Sequence, residues 1–156
     1  MELKNRDCSK RFAVLCANLE QIEELAYLDD NARKIIKEFM PGGLTLILKA
    51  KNKDIHNYAI DETVAVRIPK HPIAIKLLLE NGPLATTSVN LSGEKPMNDY
   101  NEINKKFKGK IDYIFSDPTN IKYSNTPSTI IDMTNELKVI REGAIKLEDI
   151  LKVINE

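Results

Sequence analysis

Short apolar runs of strand length alternate along this chain with amphipathic segments, and no other feature constrains its fold as much. Strand-length runs separated by helical periodicity describe an α/β domain rather than a bundle or a sandwich. The runs are FAVLC (12–16), LTLIL (44–48), TVAVRI (63–68), LATTS (84–88), YIFS (113–116), STIIDM (128–133) and LKVIR (137–141). They are apolar on both faces or nearly so, which predicts cover on both sides. Between them, Leu19, Ile22, Leu25 and Ala26 recur at helical spacing, and Asp29 with Asp30 can cap NARKIIKEF, which Pro41 stops. HPIAIKLLLENG carries Pro72 at a helix start and Gly82 past its end. DYNEINKKF and KLEDILKVI supply two further helices. In TNELKVIR, Asn135 sits near a hairpin turn joining STIIDM to LKVIR, so the sheet is expected to mix parallel and antiparallel pairs.

The chain has 156 residues, 42% of them apolar, enough for one ordinary core, and a single domain over 1–156 is expected. Net charge is zero with 29% charged residues, so any anion site must be built locally rather than by the field of the whole chain. Cys8 and Cys16 suggest neither a zinc site nor a disulfide framework; Cys16 reads as a small core residue and Cys8 is open. No run has membrane-spanning length, and the start MELKNRDCSKR lacks the apolar core of a signal peptide, which makes the cytoplasm the expected compartment, with no membrane partner. Neither GxGxxG nor GxxxxGK[ST] occurs.

Polar groups then gather at strand ends. Lys4 and Arg6 precede FAVLC; two residues apart in an extended chain they point the same way, either as a solvated tail or as two cations on one spot. Arg67 lies among apolar neighbours in TVAVRIP and must find a partner, an ion pair or a ligand. Arg141, at the end of LKVIR, carries the same ambiguity. PLATTSVNLSG places Ser88, Asn90 and Ser92 at the carboxyl end of a strand, where open α/β sheets hold ligands, although such a stretch by itself is more often a capped turn than a site. PGGLT (41–45) reads as a helix stop entering a strand, TPST (126–129) as a turn, and KKFKGK (105–110) as a solvated helix end rather than an RNA contact. His56 and His71 receive no catalytic role; His71, in KHP, reads as a helix opener.

In order and at similar spacing, KNR, MPGGLTLIL, TVAVRIPKHPIA, PLATTSVNLSG, NTPSTIIDM and VIREGAI resemble the YrdC family of L-threonylcarbamoyladenylate synthases. That family's pattern is KxR, a PGPxT stretch, a VRxP strand, SxN followed by LSG, a PST turn and an RxG ending. The resemblance implies a twisted mixed sheet with helices on its faces and a positively charged cavity. It also implies a reaction joining L-threonine, bicarbonate and ATP into threonylcarbamoyl-AMP and pyrophosphate, with a product that feeds the machinery making threonylcarbamoyladenosine in tRNA. Carried over by position, Lys4, Arg6, Thr63, Ser88, Asn90 and Arg141 would bind ATP, and Arg67 and Ser128 would hold threonine or its carbamate. Magnesium would be bound mainly through the phosphates. No triad is needed, because phosphoryl transfer asks for alignment and neutralised charge.

The departures carry expectations too. The family's upstream Pro-Thr-Asp/Glu-Thr-x-Tyr-Gly-Leu segment is absent, Asp7 and Arg11 stand where prolines are usual, and Gly43 replaces another. The chain is expected to be a diverged, N-terminally shortened member, with an unpaired edge or apolar surface that a homodimer would cover. The alternatives are a YrdC-like nucleotide- or RNA-binding protein without synthase activity, whose RNA-binding version predicts steep salt dependence, and a structural remnant with no ligand.

Overall fold

The computed structural model describes residues 12–51, 62–91, 93–119 and 126–155; Lys4, Arg6, Cys8, His56 and Ser92 lie outside the described residues. Those described fall into two compact units, one formed by 87–119 and the other by 12–86 with 126–155.

The larger unit holds six strands: β1 (Ala13–Leu15), β2 (Leu44–Lys49), β3 (Thr63–Arg67), β4 (Leu84–Thr86), β5 (Thr129–Asp132) and β6 (Lys138–Arg141). They form one sheet in the order β4-β1-β3-β2-β5-β6. β1 with β3 and β2 with β5 run parallel, while β1 with β4, β2 with β3 and β5 with β6 run antiparallel, the mixed sheet that the hairpin at Asn135 predicts. Its helices are α1 (Leu19–Leu25), α2 (Asp30–Phe39), α3 (Pro72–Asn81) and α5 (Leu147–Asn155); α4 (Tyr100–Phe107) belongs to the smaller unit.

Local chemistry sets the helix ends. Asn18 Oδ1 accepts the Gln21 N–H at 3.0 Å, and Asp29 Oδ1 accepts that of Ala32 at 2.7 Å, each satisfying a backbone donor that a helix start leaves open. His71 caps α3 ahead of Pro72, and Gly82 follows its last residue at φ 78°, a left-handed conformation that glycine adopts without strain. Helix α1 ends at Leu25, short of the sequence expectation, because Ala26 pairs with Ala50 and the Tyr27 N–H donates to the Lys49 carbonyl at 2.9 Å.

The two faces of the sheet differ in kind. Val14, Cys16, Leu44, Leu46, Leu48, Val64, Val66 and Ile131 share one face and pack with Ile22, Ile35, Ile36 and Ile150 from α1, α2 and α5 into the core. Each such side chain contributes roughly 1.5–3 kcal/mol by leaving water. Cys16 is inert there: burial, and secondarily Glu24, pushes its thiol up to about 12. The alternate residues Thr45, Thr63, Ala65, Arg67 and Ser128 fall on the other face, where hydroxyls and a cation stand among Leu15, Ile47 and Ile130. A sheet packed by helices through one face is free to build polar chemistry on the other.

Three sequence expectations change. YIFS is not a strand: residues 113–116 pair with nothing in the sheet, and Tyr113 and Phe115, each 76% exposed, stack on one another at 5.8 Å. An apolar run becomes a strand only where a neighbouring ladder receives it. LATTS pairs only as far as Thr86. Cover on both faces holds for β2, whose first five residues are all buried, but the edge strands β4 and β6 are largely exposed. Among the described residues no helix is long and apolar enough to cross a membrane.

Candidate functional site

One end of the sheet collects four strand termini: the starts of β2 and β5 and the ends of β3 and β6. Register decides which side chains meet there. Leu46 stands opposite Val66 and Thr45 beside Ile130, so Thr45, Arg67 and Ser128 all project from the face that α1, α2 and α5 leave alone. Strand β6 would not deliver Arg141 to that face if its ladder were regular. Ile131 stands opposite Val139 but Ile130 opposite Arg141, so Ile140 is an extra residue, and the bulge turns Arg141 onto the side of Ile130 and Ser128. In an unbroken ladder Arg141 would follow Thr129 toward the packed face.

The side chains then interlock. Thr45 Oγ1 and Ser128 Oγ share a hydrogen bond of 3.0 Å, both residues being buried. Arg141 Nε and Nη2 donate to the Ser128 carbonyl at 3.0 and 2.8 Å, and Nη2 donates to Ser128 Oγ at 3.1 Å. Arg67 Nε donates to the Gly42 carbonyl at 2.9 Å, leaving its two terminal nitrogens without an acceptor among the described residues. Neither arginine pairs with a carboxylate among those residues. Burial, and next the positive charge of Arg141, holds the Arg67 guanidinium below its ordinary value. Two like charges close together with no carboxylate partner among the described residues, presenting planar arrays of N–H donors, form an arrangement that an anion relieves.

Backbone contact fixes the geometry. A Cβ on Gly143 would lie 2.2 Å from the Pro127 oxygen and 2.8 Å from the Ser128 carbonyl carbon, and one on Gly43 would lie 2.6 Å from Ala144 Cβ. The Gly43 carbonyl accepts the Thr129 N–H at 2.9 Å, and the Pro127 carbonyl accepts that of Ala144 at 3.0 Å. PGGLT, TPST and VIREG, three unremarkable turns in the sequence, are one structure in space.

A family model named for Sua5, YciO and YrdC, and described as "Telomere recombination", matches residues 1–143. The chain belongs to the Sua5/YciO/YrdC family. It is 37% identical over 161 residues to a threonylcarbamoyl-AMP synthase of Pyrococcus abyssi, covering 99% of this chain and 46% of the relative. To the Bacillus subtilis threonylcarbamoyl-AMP synthase it is 34% identical over 159 residues, covering 98% and 45%. A crystal structure of Pyrococcus abyssi Sua5 complexed with L-threonine superposes with a TM-score of 0.84 at 35% identity, covering 99% of this chain and 46% of that one. The chain thus spans just under half the length of these relatives.

For a member of the Sua5/YciO/YrdC family, the sequence-predicted residues separate into groups. Arg67, Ser128 and Arg141 come together. Thr63 shares their face but opens β3 where Arg67 closes it, about 13 Å away along the strand. Ser88 and Asn90 lie in the smaller unit. They stand on a tight bend past the strand end: the Asn90 N–H donates to the Ser88 carbonyl at 3.1 Å and Ser88 Oγ to Asn90 Oδ1 at 2.6 Å. Asn90 Nδ2 donates to the carbonyls of Leu91 and Glu94 at 2.9 and 2.8 Å, so its amide braces the loop it stands in. A hydrogen bond from Lys106 lowers the Glu94 carboxyl pKa within the same unit. Lys4 and Arg6 lie outside the described residues.

A cavity of about 400 Å³ opens at the other end of the sheet, lined by Tyr27, Asp29, Leu48, Lys49, Thr134 and Asn135 among others. It holds one lysine and no arginine, and Asp29 there is committed to capping α2. The chemistry favours the arginine end over this concavity. Thr45, Thr129 and Gly143 are the site residues that the sequence reading left out; their signal was position inside PGGLT, TPST and VIREG.

Proposed function

We propose that the chain is an L-threonylcarbamoyladenylate synthase, supplying threonylcarbamoyl-AMP for threonylcarbamoyladenosine formation in tRNA in the cytoplasm. The observation that carries this reading is the pair Arg67 and Arg141, which feel each other's charge and have no carboxylate partners among the described residues, with Arg141 bonded to Ser128, in a chain whose relative was crystallised with L-threonine.

In this reading the terminal nitrogens of Arg67 and the hydroxyl of Ser128 receive threonine's carboxylate or its carbamate, while Arg141 faces the nucleotide's phosphates. Arginine suits both because its fork donates in pairs. Threonine's amine condenses with bicarbonate to a carbamate with loss of water. A carbamate oxygen attacks the α-phosphorus of ATP, the bond to the β-phosphate oxygen breaks, and pyrophosphate leaves with the electron pair. The protein's part is to align the two anions and neutralise their repulsion. By their positions in the family's pattern, Lys4, Arg6, Thr63, Ser88 and Asn90 are proposed as further ATP-binding residues. The described donor set at the site is cationic and hydroxylic, which suits phosphate rather than a bare metal, so magnesium would arrive on the phosphates, where it neutralises charge.

The test supplies the purified chain with L-threonine, labelled bicarbonate and magnesium ATP. Label in threonylcarbamoyl-AMP and threonine-dependent pyrophosphate release are expected. Nucleotide binding without threonine-dependent pyrophosphate would favour a non-synthase instead.

A further inference from the structure

The Thr129 hydroxyl uses its whole hydrogen-bonding capacity on one turn. Its side chain is fully buried, on the packed face of β5. Oγ1 accepts the N–H of Gly143 and of Ile145, each at 2.9 Å, and donates to the Ile145 carbonyl at 2.6 Å. A hydroxyl has one donor and two acceptor sites, and all three are filled. Both anchored residues belong to the segment that follows Arg141, while the residue before Thr129, Ser128, receives the guanidinium of Arg141.

We infer that Thr129 is the positioning residue for Arg141: a buried clasp that fixes the 141–145 backbone against β5 so that the guanidinium lands on Ser128. Bulged strand ends have no regular ladder to hold them, and here the bonds to the Thr129 side chain add to the backbone bond from the Ala144 N–H to the Pro127 carbonyl. Gly143 is the only residue type that lets the backbone come close enough for that clasp, since a Cβ there would strike the Pro127 oxygen. Removing the hydroxyl while keeping the shape, as in Thr129→Val, would strand two half-buried N–H groups and a carbonyl, which costs more than the loss of a single exposed bond.

One arm of the test is independent of the proposed function. The Nε–Hε resonance of Arg141 is followed by nitrogen-edited NMR in the full chain. In the wild type it is expected to be dispersed and slow to exchange, because it donates to the Ser128 carbonyl. In Thr129→Val it is expected to collapse toward the free arginine position, and in Thr129→Ser, which keeps the hydroxyl, to be retained. An unchanged Arg141 signal in Thr129→Val, or a lost one in Thr129→Ser, overturns the clasp; should the valine variant not fold, the serine variant carries this arm.

The second arm rests on the reading that Arg141 meets a bound substrate, and uses L-threonine with magnesium ATP as the probe in calorimetry. Thr129→Val is expected to weaken binding by about tenfold, the worth of roughly one charged hydrogen bond. Thr129→Ser should lie within about threefold of wild type on the same scale. On an Arg141→Ala background the valine change should add less than about twofold, because it acts through the missing arginine. Independent, multiplying losses overturn the inference. If the wild type binds neither ligand, the functional reading fails while the NMR arm still decides the clasp.

Discussion

The two ends of the sheet make an instructive pair. At one, Thr45, Arg67, Ser128 and Arg141 are held by side-chain and backbone hydrogen bonds, and the glycines beside them have no room for a Cβ. At the other, Lys49, Thr134 and Asn135 border an open cavity of about 400 Å³, where the Thr134 N–H is held by a local turn bond to Asp132 Oδ1 at 2.9 Å. This cavity and the prepared polar groups lie at opposite ends of the sheet. Preparation is the better guide to a site, because binding and catalysis depend on groups whose orientation is fixed before the ligand arrives.

The comparison can be broken most forcefully at Gly143. Gly143→Ala is expected to cost about 3 kcal/mol or more in denaturant unfolding, since the new methyl meets main-chain atoms that cannot rotate away. A variant as stable as wild type would mean that the arginine end is not held by that contact. Next comes Arg141→Ala, expected to weaken binding of L-threonine with magnesium ATP by roughly tenfold to a hundredfold in calorimetry, as befits charged hydrogen bonds to an anion. An unaltered affinity would remove Arg141 from the site. Thr45→Val takes away the hydroxyl partner of Ser128 and should cost about 1 kcal/mol of stability, read from the same unfolding curves, with no change in their slope. The smallest effects belong to the cavity end: Lys49→Ala and Asn135→Ala should each alter that ligand affinity by less than about twofold, the scale of a surface change remote from the ligand. A tenfold loss there would transfer the site to the cavity.

Much of the fold was legible because periodicity and punctuation agree. Pro72 and Gly82 bracket α3, Asp29 caps α2, and Asn135 marks the β5–β6 hairpin. YIFS was misread because hydrophobicity says that a run wants cover, not whether a ladder is available; Tyr113 and Phe115 cover one another only in part. Arg67 and Arg141 are legible as candidates, since a cation among apolar strand residues must find a partner, whereas Ser128 enters through the resemblance to the family. Thr129 is not legible, because a threonine opening a strand looks like ordinary β propensity until its three hydrogen bonds are seen.

By itself the sequence determined the class of fold, the mixed sheet, the ends of α3 and the start of α2, and the family, all of which follow from local periodicity, capping chemistry and the order of short motifs. The tertiary structure decided which residues share a face. A single inserted residue, Ile140, reverses the side on which Arg141 emerges, and no local pattern records that reversal, because a bulge is defined by the partner strand and not by the strand that carries it.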